Sequence, residues 1–187
     1  MSSKLIEGAG SDMPLQLARA GYGTKKTGFL TVIDRDVKSI EKLELAARND
    51  AELAPLIATG KLRFHCADYT KMPEICKQSI YDAIVDYKGL DSLLTGAKAV
   101  DIQGTIKCID QLQDAVRLGN ILVCLSTLDK VTFCKPFEQR FGWVQELDGE
   151  PGEISAWYRG KSNIPATASK FKQLGLYMYV YTNTDNC

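Results

Sequence analysis

Leu5-Ile6-Glu7-Gly8-Ala9-Gly10-Ser11-Asp12-Met13-Pro14, followed after a helical stretch by Phe29-Leu30-Thr31-Val32-Ile33-Asp34, decides the fold. A short apolar run that stops at a glycine pair and leads into helix formers reads as strand, tight turn and helix. Gly8 and Gly10 supply the turn, because glycine tolerates positive φ and leaves no Cβ between the backbone and a ligand. Ser11 or Asp12 can cap the helix, and Pro14 suits its first turn, where a missing N–H costs nothing. Leu15 and Ala18 share a face, and Gly21 and Gly23 end the helix. Gly28 to Ile33 forms the second strand. Asp34 closes it, where an acid can accept hydrogen bonds from ribose hydroxyls.

The type of nucleotide follows from what surrounds the glycines. A dinucleotide fingerprint needs a third small residue where Met13 stands. Glu7, just before the turn, would repel pyrophosphate oxygens and suits a cationic ligand. An NAD-dependent oxidoreductase is disfavoured on both counts.

Outward from this stretch, the next segment carries Val37, Ile40, Leu43 and Ala47 at helical spacing. This helix continues brokenly towards Ile57, with Pro55 disturbing it and Gly60 ending it. Leu62 to Cys66 reads as a third strand with Asp68 at its C-terminal end, and Tyr81 to Asp86 as a fourth. A helix from Ala99 to Leu118 bears the stripe Ile102, Ile106, Ile109, Leu112 and Val116, and Gly119 ends it. Ile121 to Leu125 is a strand buried on both faces. Phe133 to Phe141 reads as a short helix, Trp143 to Leu147 as a strand, and Ile154 to Arg159 as an extra strand. Leu176 to Tyr181 is the last strand, rich in β-formers. Its Tyr177, Tyr179 and Tyr181 share one face and read as edge packing.

The alternation predicts an α/β fold: a Rossmann-like, mostly parallel seven-stranded sheet with helices on both faces and an antiparallel edge hairpin. One domain spans residues 1–187. Ligands bind such sheets outside the carboxyl ends of the strands, where Glu7, Asp34, Asp68 and Asp86 fall.

Composition narrows the classes. Lys plus Arg and Asp plus Glu each total 23, so the net charge is zero, which argues against a nucleic-acid partner. No apolar run is long enough to span a bilayer, and no signal peptide is read at the start. The six cysteines (Cys66, Cys76, Cys108, Cys124, Cys134 and Cys187) show no Cys-x-x-Cys spacing, and His65 is the single histidine. No metal site is therefore expected. Cys66, Cys108 and Cys124 read as small core hydrophobes, His65 as a structural mid-strand residue, and the setting as reducing and cytoplasmic.

Four carboxylates on one rim with a glycine turn between the first two resemble the class I S-adenosylmethionine-dependent methyltransferases. Glu7-Gly8-Ala9-Gly10 looks like their first motif. The resemblance implies S-adenosyl-L-methionine as cofactor, with Asp34 and neighbouring Arg35 at the ribose and Asp68 and Tyr69 at the adenine. Asp86 opens the fourth motif. More narrowly, Tyr81 to Leu94 is similar to the Asp-Lys-Gly-Thr-Leu-Asp-Ala-Leu stretch of a protein-lysine methyltransferase group, members of which modify translation elongation factor 1-alpha. Asp86, Leu90, Asp91 and Leu94 match it in register, whereas Tyr87, Lys88 and Gly89 depart. The final strand resembles that group's last strand. Family members also carry a helical segment before the first strand that covers the cofactor, and only Met1 to Ser3 stand there in this chain.

The resemblance implies methyl transfer to a protein lysine or terminal amine, with an elongation-factor-like protein as substrate. Asp86 would orient the acceptor ammonium, and Tyr87 would pack on it by a cation–π contact. Asp86 could equally cap the segment that follows. The competing readings are a small-molecule methyltransferase and a non-catalytic module of the same fold. Neither a membrane partner nor a particular oligomeric state is read from the residues.

Overall fold

The computed structural model describes residues 3–7, 12–24, 28–68, 81–95, 102–138, 142–148 and 175–184. The strands are β1 (Ser3–Glu7), β2 (Phe29–Asp34), β3 (Leu62–Cys66), β4 (Tyr81–Tyr87), β5 (Val116–Ser126), β6 (Trp143–Asp148) and β7 (Tyr177–Asn183). They join in the order β3-β2-β1-β4-β5-β7-β6. The pairs from β3 through β5 are parallel, and β7 runs antiparallel to both β5 and β6. The helices are α1 (Met13–Arg19), α2 (Val37–Arg48), α3 (Ala54–Ala58), α4 (Gly89–Thr95), α5 (Ile102–Ala115) and α6 (Lys130–Glu138).

Period-two alternation along the strands builds a core on each face. On one face Leu30, Val32 and Leu62 meet Leu15 and Ala18 of α1 and Ile40, Leu43 and Ala47 of α2. On the other, Ile33, Ile84, Leu122, Cys124, Tyr179 and Tyr181 meet Leu90 of α4, Ile109 and Leu112 of α5, and Phe133 and Phe137 of α6. A third cluster, Leu125, Met178 and Val180, lies on the first face further along the sheet. Met13, Tyr87, Ile121 and Val123 pack against it.

Local chemistry sets the element ends. Asp36 caps α2, accepting the Lys38 and Ser39 N–H groups and the Ser39 hydroxyl at 3.3, 3.2 and 2.6 Å. Asp12 occupies the N-cap of α1, but its side chain makes no cap bond; it accepts the Gln16 side-chain amide instead. Gly23 has φ of 73°, and a Cβ there would stand 2.8 Å from the Phe29 carbonyl oxygen. Only glycine fits where the chain folds back onto β2. Arg19 bridges to Asp50 at 2.6 Å, tying α1 to the α2–α3 turn.

Several expected elements differ. The single broken helix towards Ile57 is two helices; Asp50 caps the second turn by accepting the Glu52 and Leu53 N–H groups, and Pro55 lies in the first turn of α3. Val37 is exposed, so the buried stripe of α2 begins at Ile40. The long helix stops at Ala115, and Val116 already pairs with Tyr81. The Asn183 Nδ2 donates to the Val116 and Gln113 carbonyls at 2.7 and 3.1 Å, which secures this abrupt change. β5 then absorbs residues 117–120 in a register shift before Ala83 pairs with Ile121. The tyrosines are not at an edge: β7 lies inside the sheet, and Tyr179 and Tyr181 are buried. His65 and Cys66 are exposed on edge strand β3, whereas Cys108, Cys124 and Cys134 are buried. The expected strand Ile154 to Arg159, Cys76 and Cys187 lie outside the described residues. Among the described residues no helix is long and apolar enough to cross a membrane.

Candidate active site

The site is built from strand ends. β1 lies between β2 and β4, parallel to both. Its last residue, Glu7, pairs with Ile33 on one side and Asp86 on the other. Asp34 follows Ile33 and pairs with Cys66 of β3. Three of the four acids thus reach one rim. Asp68 lies two residues past the end of β3 and is exposed. The Ala67 N–H to Asp34 carbonyl bond, at 2.9 Å, carries the β2–β3 pairing past that end. Glu7 is placed by its backbone alone. Gly8, Ala9, Gly10 and Tyr69 lie outside the described residues.

Asp34 is partly buried, and its Oδ1 accepts the Asp36 N–H at 2.8 Å. This Asx-type bond fixes the carboxylate at the start of the β2–α2 turn. Asp36 itself is held below the usual carboxylate range, chiefly by the Ser39 hydroxyl. Arg35 is exposed between the two acids, and its carbonyl accepts the Cys66 thiol at 3.6 Å.

Asp86 is fully buried, and both its oxygens take the Leu90 N–H at 3.3 Å. Burial pushes its carboxyl up to about 7. Neighbouring Asp91 adds to the rise, and the Leu90 and Gly89 N–H groups oppose it. Asp91 is also buried. It accepts the Ser126 hydroxyl at 2.5 Å and the Thr127 N–H and hydroxyl at 2.8 Å each. The Ser126 oxygen in turn accepts the Leu128 N–H at 2.9 Å. The paired acids therefore organise backbone: Asp86 holds the β4–α4 turn, and Asp91 ties α4 to the chain leaving β5.

Asp86 and Tyr87 do not face the same side of the sheet. Successive strand residues point to opposite faces. Asp86 shares the face of Ile84 and meets α4, whereas Tyr87, like Met13, packs against Leu125, Met178 and Val180. The structure thus places Tyr87 on the face that also carries Met13 at the start of α1. Lys88 follows with φ of 61°, a region that costs a non-glycine residue about 1 kcal/mol or more. Its N–H donates to the Leu125 carbonyl at 2.8 Å, and its Nζ stands 5.3 Å from the Tyr87 ring centroid.

Sequence reasoning gave Asp91 and Lys88 no role. Asp91 carried a signal, since an acid in the turn after a strand faces the hydroxyls of Ser126 and Thr127 once β4 and β5 pair. Lys88 carried none beyond its place next to Tyr87.

No family model and no curated protein matches this chain. Solved structures do. The N-methyltransferase NodS from Bradyrhizobium japonicum WM9, in complex with S-adenosyl-L-homocysteine, is 16% identical, with TM-score 0.58 over 98% of this chain and 79% of that one. An rRNA methylase from Streptococcus thermophilus is 11% identical, with TM-score 0.55 over 98% and 88%. The chain has the methyltransferase fold. The same fold also carries other chemistry: the [4+2]-cyclase SpnF is 12% identical, with TM-score 0.57 over 99% and 76%.

Proposed function

We propose that the chain is an S-adenosylmethionine-dependent methyltransferase acting on an amine of a protein, built on a seven-stranded Rossmann-like sheet. The observation that carries this reading is the register at the rim, where Glu7 lies between Ile33 and Asp86 with Asp34 one step on. Acids there suit a cofactor that bears a sulfonium charge and two ribose hydroxyls. The NodS complex with S-adenosyl-L-homocysteine supports the cofactor class.

In this reading Glu7, Gly8, Ala9 and Gly10 hold the methionine end, Asp34 and Arg35 the ribose, and Asp68 and Tyr69 the adenine. S-adenosylmethionine supplies the activated methyl group, and the protein supplies alignment. Asp34 is oriented in advance by the Asp36 N–H. Asp86 acts through the turn it holds rather than by touching the acceptor, because its oxygens face Leu90. Tyr87 offers an aromatic face to an acceptor amine. Incubation with methyl-labelled cofactor and fractionated extract tests the acceptor. Label in protein that is hydrolysed to methyl-lysine or a methylated terminal amine is expected. Label confined to RNA or small molecules would overturn the amine assignment.

A further inference from the structure

Among the described residues Lys88 is the one non-glycine residue in the left-handed backbone region. Such positions persist only where surrounding structure over-determines them, and they gather at functional sites. Here the Leu125 carbonyl holds the Lys88 N–H at 2.8 Å, which fixes the backbone and leaves the side chain to find its own place. That place is over the Tyr87 ring, 5.3 Å from its centroid. Tyr87 packs on the same cluster as Met13, the first residue of α1. A primary amine of the chain therefore occupies the aromatic surface assigned above to an acceptor amine. Lys88 also lies two residues beyond Asp86, whose strand end pairs with Glu7. Its flexible four-carbon stem can sweep the rim.

We propose that Lys88 is itself a methyl acceptor, modified at Nζ by S-adenosylmethionine bound in the same chain. The inference rests on the methyltransferase reading. The amine sheds one proton to water, and its lone pair then forms the N–C bond to the methyl carbon. The S–C bond breaks as it does so. Its electron pair stays on sulfur, and S-adenosylhomocysteine leaves as a neutral thioether. The position also explains the departure from the Asp-Lys-Gly-Thr pattern, since Tyr87-Lys88 brings an aromatic face and an amine together at the strand end.

The full chain is incubated with S-adenosylmethionine at several protein concentrations. Intact mass and peptide mapping follow the product, and cofactor binding is measured in parallel by calorimetry. A gain of one methyl mass or its multiples at Lys88, at a rate independent of protein concentration, is expected. Lys88→Arg and Lys88→Gly should lose the gain and still bind cofactor; the glycine variant keeps the backbone conformation open. Methylation of other lysines only, or a rate that climbs with protein concentration, would overturn transfer in cis at Lys88. Cofactor binding with no mass gain would overturn this inference and leave the methyltransferase reading intact. Failure to bind the cofactor would remove both.

Discussion

At Asp86 the proton binds more tightly in the folded chain than in water. The carboxyl moves from an ordinary value near 4 up to about 7 because it is buried and neighbours Asp91. Between about pH 4 and about pH 7 the native state thus keeps a proton that the unfolded state has released. Stability conferred by this group is full below that window, falls as pH rises through it and is flat above. Each tenfold change in proton affinity is worth about 1.4 kcal/mol, so the effect amounts to a few kcal/mol. Asp86→Asn removes the titration. Urea melts at about pH 5 and about pH 8 should show the variant gaining on the native chain by a few kcal/mol between them. Parallel pH profiles would show that Asp86 does not carry this linkage. The residue scale is also where sequence reading was least complete. The acids at strand ends were visible from the pattern of runs and turns, but whether a carboxylate faces ligand or backbone depends on the element packed over it. For Asp86 both a contact to the acceptor and a cap on the following segment were open, and its oxygens accept the Leu90 N–H.

At the scale of elements, α6 is held by aromatic stacking. Phe133 lies flat on Tyr179 with centroids 4.4 Å apart, and Phe137 on Tyr181 at 4.1 Å. Trp143 closes the stack edge-on to Phe137 at 6.3 Å. The Tyr181 hydroxyl donates to the Cys134 thiol at 3.2 Å, so the buried phenol has a partner inside the helix it supports. Burial raises the Cys134 thiol and both phenols above their ordinary values. Truncating a packed phenylalanine costs about 3 to 5 kcal/mol, so Phe137→Ala should lower the urea midpoint accordingly with the slope unchanged. A loss below about 1 kcal/mol would mean that α6 does not depend on this stack. The tyrosine alternation in Leu176 to Tyr181 was legible, and so was its strand character. Its interior position was not, because period two tells which residues share a face but not which strand lies beyond. The end of α5 was hidden for a related reason: Val116 continues the helical stripe, yet its pairing with Tyr81 wins.

For the whole molecule, the arrangement follows from β1 lying between β2 and β4. With partners on both sides, the last residue of β1 reaches the rim at the carboxyl ends of the strands, where ligands bind open α/β sheets. The parallel order from β3 through β5, with helices covering both faces, was readable from alternating apolar runs and amphipathic stretches. The same logic placed Glu7, Asp34 and Asp86 together before any contact was known. It placed Asp68 less well, because the chain runs past the end of β3 before reaching it. An acceptor was not legible, since periodicity reports which residues pack and not the chemistry of a substrate.

The central claim is that this rim binds a sulfonium nucleoside. Isothermal titration of the full chain with S-adenosylmethionine, S-adenosylhomocysteine and NAD tests it most directly. Dissociation constants on the order of micromolar are expected for the first two, none measurable for NAD, and loss of binding in Asp34→Ala without unfolding. Binding of NAD alone, or an Asp34→Ala chain that binds S-adenosylmethionine as tightly as the native one, would contradict it.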